Sequence, residues 1–185
     1  MVKNKGYTLV EVVIVVAIMA ILGGLSFMTI GIIKESKRQT ATNTLNNQMS
    51  SCLIRTKAVS TAQVVDQPLC MVIMQRTDGA YAVMTGYIHG TGMSGIKDSN
   101  GSALDPNDDK KCEAVLPKEI VKIEYTASDT SQQFAVDGMV IQYIKSDGST
   151  QYGGGEYKLY GGKSGSETLY ATICLDPESG KHYIK

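Results

Sequence analysis

From Val12 to Ile33 the chain runs for 22 residues without a charged side chain, and only Ser26 and Thr29 in it are conventionally polar. As a helix such a run reaches roughly 33 Å, the thickness of a bilayer's hydrocarbon core. A secretory signal peptide has an apolar core of only about 7–15 residues before a small-residue cleavage site, and Ile32-Ile33-Lys34-Glu35 offers no such site. A soluble helix apolar on every side needs a larger protein around it. The expectation is a membrane-spanning helix. The chain as a whole is 185 residues with 18 basic and 18 acidic side chains, a neutral total that looks like an ordinary soluble domain. That total is a cancellation: +2 over residues 1–6, −1 over 7–33, +4 over 34–62 and −5 over 63–185. It argues against a disordered acidic tail, and the acidic 63–185 stretch argues against a nucleic-acid-binding head.

One charge interrupts the apolar stretch near its start. Glu11 follows Lys5-Gly6-Tyr7-Thr8-Leu9-Val10. A carboxylate at membrane depth costs about 2.5–3.5 kcal/mol on insertion scales, so it calls for a cationic partner. If the chain were cut after Gly6, Tyr7 would present a new α-amino group as one candidate.

These residues resemble the class III leader of type IV prepilins and pseudopilins. The resemblance covers about the first 30 residues. It implies that a prepilin peptidase cuts between Gly6 and Tyr7 and methylates Tyr7. It also implies that Glu11 neutralises a neighbouring subunit's N-terminus in a filament. Two residues depart from the common pattern. Tyr7 stands where Phe is commoner, and Met28 where many members have a helix-kinking proline; Gly23, Gly24 and Gly31 supply weak points instead. Counting lysines and arginines on either side of the span favours a cytoplasmic C-terminus. The resemblance implies the reverse, an exported C-terminal head, and the leader is the more specific signal.

Beyond the span, Ala41, Leu45, Met49, Cys52 and Leu53 recur at spacings of three and four, an amphipathic continuation that predicts a single helix over 8–60. After Pro68 the pattern turns to short apolar runs with a period of two. Strands are predicted at Cys70–Met74, Tyr81–Ile88, Ile120–Tyr125, Met139–Ile144 and Leu169–Leu175. Asp78-Gly79, Asp147-Gly148 and Pro177 with Gly180 mark turns. The resulting fold class is α+β: a long N-terminal helix, its first half membrane-spanning, packed on an antiparallel sheet. The expected domains are a leader at 1–6, a transmembrane or filament-core helix at 7–33, an amphipathic stalk at 34–62 and a β-sheet head at 63–185. This agrees with the pilin fold, and Leu169–Lys185 resembles the terminal hairpin of some minor pseudopilins. Residues 89–112 and 153–166 read as exposed, glycine-rich connections.

Other constellations carry less. Asp98, Asn100, Asp105 and Asp109 offer oxygen ligands for a weak calcium candidate, but Ala103 occupies the position where a calcium loop of the EF-hand kind needs glycine. Cys52, Cys70, Cys112 and Cys174 contain no Cys-x-x-Cys pair, so zinc is disfavoured; the readings are at least one disulfide in an exported head, with Cys112 and Cys174 as the favoured pair, or buried free thiols on the predicted strands and the stalk's packing face. His89 and His182 form no nucleophile–base set, and no catalytic residues, enzyme activity or cofactor are expected.

The implied function is a structural subunit of a type IV pilus or pilus-like filament. Its partners would be the prepilin peptidase, copies of itself and other pilins, the inner-membrane assembly platform, and the lipid bilayer before assembly. It would pass once through the cytoplasmic membrane and end in a cell-surface pilus or a periplasmic or wall-spanning pseudopilus. The alternatives are a pseudopilin of a type II secretion or competence DNA-uptake machine, and a membrane-tethered binding module that never polymerises.

Overall fold

The computed structural model describes residues 8–58, 68–90, 92–128, 138–163 and 165–185, without the side chains of 25–29 and 93. The chain divides into two compact units, Met1–Lys37 and Arg38–Lys185. Helix α1, Leu9–Ala58, belongs to both, close to the 8–60 expected from the periodicity. It passes through Gly23, Gly24 and Gly31, where an added Cβ would meet nothing within 4 Å. Among the described residues no helix is long and apolar enough to cross a membrane; side chains in the apolar run are described only over 9–24 and 30–33.

In the second unit the stripe read from the sequence becomes the helix's contribution to the core. Ala41, Leu45 and Met49 are fully buried, Cys52 nearly so, and Leu53 packs at the margin. The intervening Thr42 and Thr56 are also buried, and their hydroxyls donate back to the carbonyls of Arg38 (3.1 Å) and Cys52 (2.9 Å). That satisfies two hydroxyls with no other outlet and lets polar residues sit on a packed face.

The strands are β1 Leu69–Gln75, β2 Tyr81–Ile88, β3 Ile96–Lys97, β4 Ala114–Val115, β5 Ile120–Ala127, β6 Met139–Tyr143, β7 Thr150–Tyr152, β8 Gly155–Lys163, β9 Ser166–Leu175 and β10 His182–Ile184. They form two antiparallel sheets rather than the one expected. The first runs β3-β2-β1-β6-β7, with β4 also on β2; the second runs β10-β9-β8-β5. The α+β class stands. Inward residues of both sheets share one core with the helix: Met71, Ile73, Val83 and Ile141 from the first, Ile123, Tyr157, Leu159 and Ile173 from the second.

Two expected loops are corrected. Residues 153–166 contain the whole of β8, whose Tyr157 and Leu159 are fully buried two residues apart, the spacing of one strand face. Its glycines serve close approach: at Gly155 (φ +145°) a Cβ would lie 2.2 Å from the Thr126 carbonyl oxygen across the ladder. Residues 89–112 are not simply a surface connection either. Ile96 (1 % exposed) and Leu104 lie on Cys70, Val72 and Val140, the face of the first sheet turned away from the helix. Strand β1 is therefore buried on both faces, which accounts for its run of apolar residues without alternation.

The turns follow their glycine signals. Gly79 (φ +86°) closes β1–β2, where the Ala80 amide donates to Asp78 Oδ1 at 3.1 Å, and Gly148 (φ +88°) follows Asp147 between β6 and β7. At the β9–β10 turn Gly180 (φ +64°) has no room for a side chain, since a Cβ would fall 1.9 Å from the Gly148 carbonyl oxygen.

Candidate functional site

From Val12 to Leu22 and from Ile30 to Ile33 the first unit's described side chains are apolar and exposed. Leu9 is 80 % exposed, Met19 67 % and Ile32 70 %, with no patch turned inward. Apolar surface of this extent marks an interaction face. The one acid between Thr8 and Ile33, Glu11, sits in the first turn of α1. The Thr8 backbone amide donates to Glu11 Oε2 at 2.9 Å and the Thr8 hydroxyl donates to the same oxygen at 3.0 Å. In return the Glu11 amide approaches Thr8 Oγ1 at 3.3 Å. This is a capping box, in which the first residue of the turn and the acid three places on satisfy each other's orphan amides. Both bonds to the carboxylate use Oε2, and among the described residues Oε1 receives none. Thr8 thus aims the carboxylate and leaves one oxygen outward. The sequence reading passed over Thr8; the signal was present as Thr-x-x-Glu immediately ahead of an apolar run. Gly6 and Tyr7, the expected processing pair, lie outside the described residues.

Residues 1–27 match the family model for the prokaryotic N-terminal methylation motif. The chain carries the class III leader of type IV prepilins and pseudopilins. No curated protein and no solved structure matches the chain. The leader marks a structural, pilin-type family and supports a pilin- or pseudopilin-like subunit. It also implies processing by a prepilin peptidase and assembly with other pilins. The α+β architecture with antiparallel sheets is compatible with a pilin-like fold.

The structure does not bring the calcium candidates together, and among the described residues there is no cluster of three or more His, Cys, Asp or Glu side chains fit to hold a metal. Asp98 accepts from the Ser102 and Asn100 amides (2.8 and 2.9 Å) and pairs with Lys111 at 3.2 Å. Those bonds, led by the Ser102 amide, hold its carboxyl below the usual range. Asp105 caps its own turn at the Asn107 amide (2.9 Å), and Asp109 pairs with Arg76 at 2.6 Å. Asn100 lies in the turn that Asp98 closes.

The favoured Cys112–Cys174 bridge is not formed: all four cysteines are free thiols. Cys174 sits on β9 opposite Glu156 of β8, in the second sheet, with Sγ 3.7 Å from Glu156 Oε1. Cys112 belongs to the segment leading into β4 and contacts the carbonyls of Asp108 (3.3 Å) and Pro106 (3.5 Å). Burial pushes the Cys52 thiol up to about 12 and raises Cys70 still further, so neither forms thiolate at neutral pH.

His182, which the sequence places in no nucleophile–base set, has a serine partner. Its Nε2 lies 2.8 Å from Ser50 Oγ, and Nδ1 lies 3.5 Å from the Gly180 carbonyl. Ser50 Oγ also lies 3.3 Å from the Asn46 carbonyl. A serine bonded within its own helix and to the imidazole of an edge strand ties β10 to α1; its orienting partner is a backbone carbonyl, not a carboxylate.

Proposed function

We infer that this chain is a structural subunit of a type IV pilus or pilus-like filament. In this reading prepilin peptidase cuts it after Gly6 and methylates Tyr7. The 7–33 helix then anchors it in the cytoplasmic membrane before it enters the filament core. The observation that carries the reading is the first turn of α1: one carboxylate just ahead of the uncharged Val12–Ile33 run, held by Thr8 through a single oxygen.

Before assembly Glu11 sits near lipid with only local hydrogen bonds, and the cost of burying its charge is unrelieved. Against a neighbouring subunit the free Oε1 meets the α-amine that processing creates at Tyr7. The carboxylate then exchanges lipid for a cation, a gain available only in the aligned register, because a misaligned neighbour buries the charge unpaired. Capping by Thr8 restricts the side chain's rotamers beforehand, so less entropy is lost when the partner arrives. The apolar surface from Leu9 to Ile33 packs against equivalent helices, and the Arg38–Lys185 unit faces outward as the head.

The test is mass spectrometry of the N-terminus in material sheared from cells making the wild-type chain or Glu11→Ala. The expected wild-type result is a chain starting at a methylated Tyr7 within filaments. Glu11→Ala should be cut and membrane-inserted, yet be depleted at least tenfold from the sheared fraction. Normal incorporation of Glu11→Ala would overturn the pairing mechanism. Processed chain that never leaves the envelope would assign the subunit to a pseudopilus.

A further inference from the structure

The helix's buried stripe in the second unit starts at Ala41 and Thr42, and Arg38, one turn earlier, is the first residue of that unit. Two features of the β8–β9 hairpin meet its guanidinium. The ladder pairs Leu159 with Ala171 and Tyr160 with Leu169, so Tyr170 is an extra residue in a bulge. Its ring lies 5.8 Å from Arg38 Cζ, measured to the centroid. On the neighbouring strand, Gly161 leaves a gap that the same group fills. A Cβ built there would stand 2.5 Å from Arg38 Nε and 2.8 Å from Cζ. Bulges re-aim side chains, and a glycine within a strand marks the close approach of another group. Here both devices serve one side chain from a different element. The flat guanidinium suits the slot between a ring and a bare backbone; a lysine ammonium, rounder and more strongly hydrated, does not.

We propose that Gly161 and Tyr170 form a seat for Arg38, the clasp that sets where the head's hold on α1 begins. While the seat is filled, the turn from Arg38 to Thr42, already closed by the Thr42 hydroxyl on the Arg38 carbonyl, is tied to the second sheet. With the seat empty that tie to the second sheet is lost, and the packed hold starts at the Ala41–Leu45 stripe. All the contacts lie within the Arg38–Lys185 unit, so the clasp operates whether or not the chain assembles into a filament.

Gly161→Ala tests this selectively, because the three atoms nearest the new Cβ all belong to the end of Arg38's own side chain, which can swing away. Hydrogen–deuterium exchange would be followed on the full chain in detergent micelles for wild type, Gly161→Ala, Tyr170→Leu, Tyr170→Phe and Arg38→Lys. Amides over Gln39–Asn43 should exchange about five- to tenfold faster in Gly161→Ala, Tyr170→Leu and Arg38→Lys, and at the wild-type rate in Tyr170→Phe, which keeps the ring. The Gly161→Ala/Tyr170→Leu double variant should be no faster than either single one, since both empty one seat. Wild-type exchange in Arg38→Lys, where both sheets are untouched, would overturn the proposal. So would additive acceleration in the double variant.

Discussion

At the scale of single residues, Thr8 and Glu11 separate two jobs that a motif match merges. The carboxylate closes the helix's first turn through Oε2, and in the proposed assembly Oε1 is the atom that meets a partner. Glutamine at position 11 keeps the capping acceptor but has no charge. Glu11→Gln should therefore start the helix normally and still be lost from filaments as severely as Glu11→Ala. Thr8→Ala removes the cap, costs about 1 kcal/mol at the helix start, and should reduce incorporation only a few-fold. The same sheared-fraction mass spectrometry decides: wild-type incorporation of Glu11→Gln would mean that assembly uses the cap and not the charge. Glu11 was legible in the sequence because a lone acid in an apolar run is conspicuous. Thr8 was passed over because a threonine beside such a run is unremarkable until its acid is counted three places on.

Among the elements, the glycines explain both what the sequence disclosed and what it concealed. Strand β2 was readable to the residue, and β1, β5 and β6 nearly so, because β-branched and aromatic side chains dominate β2, β5 and β6 and β1 is a short unbroken apolar run. Strand β8 was hidden between Gly153-Gly154-Gly155 and Gly161-Gly162, whose composition is that of a linker. Its only strand signature was Tyr157 and Leu159. The short strands β3, β4, β7 and β10 hold two or three residues each, too few for any period to show. Nor could periodicity foresee that the 96–104 segment folds back over the first sheet, since that contact needs Gly86. A Cβ on Gly86 would stand 2.6 Å from Ile96 Cγ2, 3.1 Å from Leu104 Cδ1 and 3.3 Å from the Lys97 carbonyl oxygen. Gly86→Val should wedge the segment off β2 and cost about 1–3 kcal/mol, read as a lower urea midpoint of the full chain in detergent. A midpoint equal to wild type would show that the segment covers the sheet only loosely.

For the whole molecule, what holds the head is packing plus a spread of small electrostatic contacts. Arg55 donates twice to Glu113, at 2.6 and 3.2 Å, and that bond keeps the Glu113 carboxyl below its ordinary range. Asp78, Asp98, Asp147 and Asp176 are likewise lowered by amides or hydroxyls of their own turns, and Glu156 by Lys185. A carboxylate whose pKa is depressed on folding contributes fully above its unfolded value and loses that contribution as pH falls through its folded value. The urea midpoint should therefore hold steady from about pH 8 to 5 and decline below about pH 4, with Glu113→Gln closing part of the gap between neutral and acid. Because Arg55 is about half exposed, this pair accounts for no more than about 1 kcal/mol of it. A midpoint unchanged down to about pH 2 would refute the account. The free thiols add a consequence of another kind. None of the head's stability is stored in a covalent crosslink, so a reducing agent should leave its urea midpoint where it was, and a midpoint that falls on reduction would reveal a bridge.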